Sequence, residues 1–449
     1  MKSITVAKFG GTSVADYAAM TNSAAVVGAN PNTRLVVISA CSGVTNILVE
    51  LANGVSDGDK RQELLDKLTA IHFDILASLS ENLAVANEVN ALLDTVANLS
   101  LSAAKQPTDA LTDKLVSCGE LLSTHIFTHL MNDASMNAVR FDVRNVLRTD
   151  SQYGKAVPDV PAIYGLAQEK LRPLCENHIV VTQGFIGSDE NGETTTLGRG
   201  GSDYSAALLA EAVDAGTLEI WTDVPGIYST DPRVAPKASP IPEISFSEAS
   251  EMANFGAKIL HPATLIPAMR KQIPVFVGSS RTPTEGGTWI RQQAETSPVF
   301  RAVALRNNQT MVTLTSLNMF HAYGFLAEVF RILAKHKVSV DLITTSEVSV
   351  SLTLDQTNTR GGAPDLPDAA REELSELCRV KVEQGLSLIA LIGNKMDENR
   401  GACSRIFCSL SEFNLQMICY GASAHNLCFL ADESEARDIV RTLHTAIFE

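Results

Sequence analysis

Residues 1–297 predict an α/β domain on a mostly parallel open sheet with helices on both faces. Residues 298–449 predict two small α+β modules. Three observations carry this reading. Apolar strands alternate with long helical periods through the first part of the chain. Glycine-rich turns stand at strand ends, where open α/β sheets place their ligands. Two stretches of the last third repeat one pattern without gaps.

At 449 residues the chain exceeds one ordinary domain, and 45% hydrophobic content with a mean hydropathy of +0.07 describes a globular protein with ample core. A formal charge of −15 argues against nucleic acid and acidic membrane surfaces as partners. No apolar run approaches the ~18 residues that span a bilayer. The first residues lack a signal-peptide core, so a cytoplasmic protein is expected. The cysteines at 41, 118, 175, 378, 403, 408, 419 and 428 show neither C-x-x-C nor zinc spacing. They are expected to be buried or inert thiols in a reducing compartment.

In chain order, residues 3–9 predict a strand that ends in Gly10-Gly11-Thr12-Ser13-Val14, with Lys8 at its carboxyl end. This is neither a Walker A nor a Rossmann loop, because the lysine precedes the glycines. A helix over about 15–29 follows, then a strand Leu35–Ser39 apolar enough to be buried on both faces. Residues 46–131 are helical by period, with Ser117-Cys118-Gly119-Glu120 expected to interrupt the pattern. His125 and His129 share i,i+4 spacing without a third ligand, so no metal site is predicted.

A strand over Ile179–Phe185 precedes the loop Thr194–Tyr204. Its glycines Gly198, Gly200 and Gly201 let the backbone approach a ligand closely. Ser202 is the expected N-cap of a helix through Ala210, whose N-terminus offers N–H groups and a positive dipole end to an anion. Arg199 adds a planar fork suited to a carboxylate or phosphate, and Asp203 an acid. Leu218–Tyr228 predicts a strand, an acid and a tight turn, followed by Asp231-Pro232-Arg233. Ser245 with Glu248 fits a capping box for a helix containing Phe255-Gly256-Ala257-Lys258, and residues 274–278 form one more strand.

Beyond residue 297, Val329–Val340 aligns with Ile406–Met417 at an offset of 77. Phe330 falls on Phe407, Leu333 on Leu410, Val338 on Leu415 and Val350 on Leu427. Each copy predicts a helix and two alternating strands. The first copy covers about 310–384, with a loop over 358–368, and the second about 385–449 plus a strand near 299–306.

Three motifs stand in order: Lys8-Phe9-Gly10-Gly11-Thr12-Ser13-Val14, the loop Thr195–Asp203, and Trp221-Thr222-Asp223-Val224-Pro225-Gly226. With Phe255–Pro262 beyond them, the chain resembles the aspartokinases of the amino-acid kinase family. Its repeat resembles that family's paired ACT modules, so the likeness covers essentially the whole chain. Ser316–Met319 with Ser339–Glu347 is most similar to the lysine-sensitive form.

The resemblance implies an amino-acid kinase fold and an ATP-dependent aspartate kinase. Its product is 4-phospho-L-aspartate, the first step of aspartate-derived amino-acid synthesis, with feedback inhibition by L-lysine. Aspartate is already ionised at neutral pH, so no general base is required and catalysis reduces to positioning and charge neutralisation. By resemblance Lys8 reaches the phosphoryl group with the backbone N–H groups of Gly10 and Gly11 alongside, and Phe9 is counted with them in the nucleotide site. Asp203 either holds Lys8 or orders a Mg²⁺ shell. Arg199 clamps an aspartate carboxylate with Gly200, Gly201 and Ser202, Glu120 receives the ammonium, and Ser39 and Thr45 supply hydroxyls. Thr222, Asp223, Tyr228, Arg233, Lys258 and Ile259 surround the nucleotide, and Mg²⁺ is carried mainly by its phosphates.

Met319, Phe325, Leu326, Ser339, Val340, Asp341, Ser346 and Glu347 match the ligand-contacting segments of the first module. Asp341 and Glu347 face Ile418 and Ala424 in the second copy, so only the first offers two acids to the two ammonium groups of lysine. Exposed module edges imply a homodimer with lysine between protomers, or a tetramer when lysine is bound. The alternatives are another amino-acid kinase and a catalytically inactive amino-acid sensor.

Overall fold

The computed structural model describes residues 3–80, 82–198, 200–256, 260, 262–319, 323–355, 364–396 and 398–449. The chain forms two compact units. One comprises Met1–Ile227, Pro240–Phe246 and Ile259–Ala294; the other comprises Tyr228–Ser239, Ser247–Lys258 and Glu295–Glu449. Among the described residues no helix is long and apolar enough to cross a membrane.

The chain begins β1 (Thr5–Phe9), α1 (Tyr17–Ala29), β2 (Thr33–Ile38), α2 (Val44–Ala52), α3 (Gly58–Leu76), α4 (Leu83–Lys105) and α5 (Asp109–Asp133). Next come β3 (Ala138–Phe141), α6 (Val160–Leu166), α7 (Arg172–Asn177), β4 (Ile179–Gln183), β5 (Ile186–Ser188), β6 (Thr194–Thr196), α8 (Gly201–Ala212) and β7 (Thr217–Thr222). A π turn over Ala167–Leu171 joins α6 to α7. Pro173 stands two residues beyond it, in the first turn of α7, where a missing N–H costs no helix bond. Then follow β8 (Glu243–Ser245), α9 (Phe246–Asn254), α10 (Pro262–Lys271), β9 (Val275–Ser279) and β10 (Gly287–Arg291).

The first unit is built on one eight-stranded sheet in the order β3-β4-β2-β1-β7-β9-β10-β8, parallel except where β10 opposes β9. Strands β1, β2 and β7 occupy its middle; β1 is buried along its whole length and β2 at every position but Arg34. Alternation along β1 sends Ala7 and Phe9 into the core shared with α1 to α5, while Lys8 points to the α8 side. From β1 the chain first builds outward through β2, then returns to the other side with β7. Ligand crevices of open sheets form at such a reversal, beyond the carboxyl ends of the strands.

Gly119 does not interrupt its helix, contrary to the sequence expectation: α5 runs unbroken from Asp109 to Asp133. The glycine answers a packing demand instead. A Cβ there would sit 2.9 Å from Ala40 Cβ and 3.1 Å from both Leu48 and Val44.

The second unit contains β11 (Phe300–Thr315), α11 (Phe325–Lys335), β12 (Val340–Thr345), β13 (Ser349–Leu354), α12 (Asp368–Ser375), β14 (Arg379–Gly393), α13 (Ala402–Ser409), β15 (Met417–Tyr420), β16 (Asn426–Asp432) and α14 (Ala436–Phe448). Its sheet runs β12-β13-β11-β14-β16-β15. Strands β11 and β14 are long and antiparallel, with register shifts between Arg306 and Met311. Asn308 and Gly385, both at positive φ, lie at this break. One half of each strand therefore serves each module. Val312, Val329, Leu333 and Leu352 fill one core; Val303, Leu410, Leu427 and Leu443 fill the other. The repeat register holds in burial: Leu333 and Leu410 are buried, as are Val350 and Leu427, while Phe330 and Phe407 are exposed alike. Each module also gains a closing helix, α12 or α14, that the reading of one helix and two strands omits. Within the predicted 358–368 loop, residues 358–363 lie outside the described residues.

All eight cysteines are free thiols. Burial pushes Cys41, Cys118 and Cys175 up to about 12, so they are inert as nucleophiles. Cys408 is exposed and departs from the expected burial.

Candidate active site

A cleft of about 460 Å³ opens where the loops after β1, β2 and β6 meet α5 and the start of α8. Lys8, Ser39, Thr45, Glu120, Gly200, Gly201, Ser202 and Asp203 all line it. The fold thus brings together residues the sequence spreads over some two hundred positions.

On the floor, Lys8 Nζ lies 2.6 Å from Asp203 Oδ1, both side chains being largely buried. That oxygen makes no well-directed hydrogen bond, so the contact is an ion pair held by position. The β1 loop closes over it with little space to spare. A Cβ on Gly11 would meet Ala40 O at 2.9 Å, and one on Gly10 would sit 3.5 Å from Lys8 Nζ. The Gly10 N–H is already donated to Trp221 O at 3.2 Å, so the expected pair of free glycine donors is reduced here.

Gly198 and Gly200 adopt left-handed φ values of 76° and 72°. Gly200, not Ser202, is the N-cap of α8, because only the left-handed turn at that point brings the chain into the helix. Ser202 moves into the first turn beside Asp203. The site is so tight that a Cβ on Gly201 would fall 2.6 Å from the Phe185 ring. Phe185 also lines the cleft and itself holds a positive φ of 68°, a strained state for an aromatic residue. Its N–H is fixed by Ser205 Oγ at 2.8 Å. The sequence marks it only as the end of a strand.

Glu120 reaches the cleft from α5, 3% exposed. Its Oε1 accepts from Ala40 N at 3.3 Å, while Oε2 has no partner among the described residues. Burial raises its carboxyl from the ordinary 4.5 to about 8, against the pull of two backbone N–H groups. A carboxylate in this state calls for a cation from the cleft. Ser39 is half-buried at the end of β2, and Thr45 is exposed in the first turn of α2, behind Gly43 at φ 84°. One end of the cleft therefore suits an ammonium group, while Lys8 and the N-terminus of α8 suit an anion.

Residues 3–279 match the model described as "Amino acid kinase family", and residues 312–362 and 389–447 match an ACT domain model. The chain is 54% identical to the "Lysine-sensitive aspartokinase 3" of Escherichia coli (strain K12), covering all of both chains. It is 34% identical to "Aspartokinase 1, chloroplastic" of Arabidopsis thaliana over 99% of this chain and 80% of that one. Crystal structures of E. coli aspartokinase III superpose with TM-scores of 0.93 (R-state, with aspartate and ADP) and 0.83 (T-state, with lysine and aspartate). Both are 54% identical and cover 99% of this chain and 100% of theirs. The chain belongs to the aspartokinases of the amino acid kinase family.

The remaining candidate residues of this aspartokinase chain scatter more widely. Phe9 is fully buried, its ring 6.2 Å from Phe127 and 6.4 Å from Trp221, so it packs beneath the cleft and not in it. Thr222 and Asp223 stand at the carboxyl end of β7, next to β1, with Thr222 Oγ1 capping Val224 N at 3.0 Å. Tyr228 and Arg233 fall in the segment that folds with the second unit, and Arg233 is exposed and paired with Asp231 at 2.7 Å. Arg199, Lys258 and Ile259 lie outside the described residues.

In the second unit, Met319, Phe325 and Leu326 border the start of α11, and Ser339, Val340, Asp341, Ser346 and Glu347 lie along or beside the edge strand β12. The two acids differ in state. Asp341 is ion-paired with Arg306, whereas Glu347 is exposed. A ligand ammonium at Asp341 would therefore share that carboxylate with Arg306.

Proposed function

We infer that the chain transfers the γ-phosphoryl group of ATP to the side-chain carboxylate of L-aspartate. The observation that carries this reading is one cleft with a buried carboxylate, Glu120, whose Oε2 has no partner among the described residues, at one wall and the Lys8–Asp203 pair on its floor. Such a cleft suits an amino acid whose ammonium is held while a phosphoryl group is delivered to its carboxylate. The relatives named for aspartokinase activity support the same reading.

Aspartate attacks as an ionised carboxylate, so the residues need only position it and offset charge. Lys8 neutralises the transferring phosphoryl group, and Asp203, 2.6 Å away, keeps it aimed. The α8 N-terminus with Gly200, Gly201 and Ser202 lies beside the acceptor, and Arg199 clamps a carboxylate through its planar fork. Glu120 takes the ammonium; Ser39 and Thr45 donate hydroxyls. Thr222 and Asp223, with Tyr228, Arg233, Lys258 and Ile259, belong to the nucleotide. Among the described residues the cleft sets one carboxylate, Asp203, against Lys8, which fits a Mg²⁺ ion carried mainly by the phosphates. That ion supplies charge neutralisation on the β- and γ-phosphates when bound.

L-Lysine inhibits through the first module, at Met319, Phe325, Leu326, Ser339, Val340, Asp341, Ser346 and Glu347. The exposed edge β12 is the proposed contact between two copies of the chain. Residues 1–297 act as the catalytic domain and 298–449 as the regulatory region. ATP, L-aspartate and hydroxylamine decide the activity by trapping the acyl phosphate as the coloured hydroxamate. Colour with aspartate and none with glutamate is expected; the reverse, or no colour with either, refutes the reading.

A further inference from the structure

Asp113 stands seven residues, two helical turns, before Glu120 on α5 and is 1% exposed. It takes no part in the chemistry above, yet it ties two loops to one helix. Its Oδ1 accepts from the Thr196 hydroxyl at 2.8 Å and its Oδ2 from the Thr196 N–H at 2.8 Å. The Gly154 N–H is shared between the two oxygens at 3.1 and 3.0 Å. Only a carboxylate accepts from three donors at once; an asparagine would turn one of its two acceptors into a donor. Burying a charge for this purpose is costly, and burial does push its carboxyl up, against the pull of the Gly154 and Thr196 donors.

What Asp113 holds is the entrance to the glycine loop. Thr196 ends β6, two residues before Gly198 and three before Arg199. Its carbonyl accepts from Ala156 N at 2.9 Å, and its neighbour Thr195 bonds Thr149 Oγ1 at 2.7 Å. A Cβ on Gly198 would come within 3.0 Å of Gly154 O, so the two anchored loops also touch. One helix thus sets both the position of Glu120 and the start of the loop that leads into α8.

We propose that Asp113 is a positioning residue for the amino-acid substrate: it keeps the glycine loop in register with Glu120. The ammonium and the carboxylate of aspartate are then held by groups referred to one rigid element. This rests on the functional reading above. Asp113→Asn preserves volume and opposes a donor to a donor, so the loop start shifts relative to Glu120. Losing one buried charge-assisted hydrogen bond is expected to raise the KM for aspartate about ten-fold and to lower the Tm by a few degrees, with the KM for ATP nearly unchanged. Thr196→Val, which removes only the hydroxyl, raises the aspartate KM in the same direction, and Thr196→Ser restores it.

A merely structural role would instead raise both KM values alike, and that result in Asp113→Asn overturns the proposal. So does an aspartate KM within about two-fold of wild type. Should Asp113→Asn not fold, a wild-type aspartate KM in Thr196→Val overturns it. A wild-type chain that makes no hydroxamate from aspartate refutes the functional reading itself, which separates the two failures.

Discussion

Replacing Glu120 by glutamine removes a cleft carboxylate whose Oε2 lacks a partner among the described residues, and two opposite consequences follow from its burial. Oε1 remains to accept from Ala40 N, so the helix and loop keep their contact. The lost element is the negative charge offered to an ammonium group. A hydrogen bond to a charged partner contributes roughly 1.5–3 kcal/mol, so the aspartate KM should rise on the order of 10- to 100-fold while the ATP KM stays close to wild type. The second consequence concerns stability. Because burial raises the carboxyl from 4.5 to about 8, the folded chain holds a proton that the unfolded chain releases. Stability from this group is therefore fully present below about pH 4.5 and is lost as pH rises through 8. The shift amounts to about 5 kcal/mol, and glutamine, which does not titrate, escapes that loss. Glu120→Gln should accordingly melt higher than wild type at pH 8.5 in the absence of ligand and differ little at pH 5. The same titration makes the wild-type affinity for aspartate increase up to about pH 8, since binding the ammonium requires the ionised form. Initial rates from pH 6 to 9 and ligand-free melting curves at the two pH values test both arms. An aspartate KM within about two-fold of wild type, or a variant that melts lower at pH 8.5, refutes the role assigned to this carboxylate.

Three further outcomes are expected. Lys8→Ala should retain its fold and lose about 10² or more in kcat, because the cation that opposes phosphoryl charge is gone and Asp203 is left without its partner; near-normal hydroxamate formation would show that Lys8 is not catalytic. Gly119→Ala drives a methyl to 2.9 Å from Ala40, a clash that costs about 1–3 kcal/mol against a helix gain of up to ~1. A lowered Tm with weaker aspartate binding is expected, and a raised Tm would contradict the packing argument. Millimolar L-lysine should inhibit at subsaturating aspartate, and Asp341→Ala should blunt the inhibition. An unchanged curve in that variant would remove Asp341 from the regulatory site.

The strands that carry the site were legible because their causes are local. Apolar runs such as Leu35–Ile38 and the glycines that end β1 are short-range signals, and so are the 3.6-residue periods of α2 to α5. They suffice to place Lys8 at a strand end and the glycine loop before a helix. The repeat was legible for the same reason, since Leu333 and Leu410 report equivalent burial in two copies of one pattern. Family likeness then supplied roles for Glu120 and Arg199 that no spacing could provide.

The tertiary structure decided everything that depends on a distant neighbour. Gly119 reads as a helix breaker until Ala40, Leu48 and Val44 are seen to leave no room for a Cβ. Nothing local to Asp113 or Glu120 shows that the β6 loop and the loop after β2 bury them and leave one with three donors and the other with an oxygen that has no partner among the described residues. By sequence Asp341 has no partner, and only the fold shows β11 setting Arg306 beside it. Backbone preference is written within a few residues, whereas the charge state and partner of a buried group are set by chains that meet only on folding.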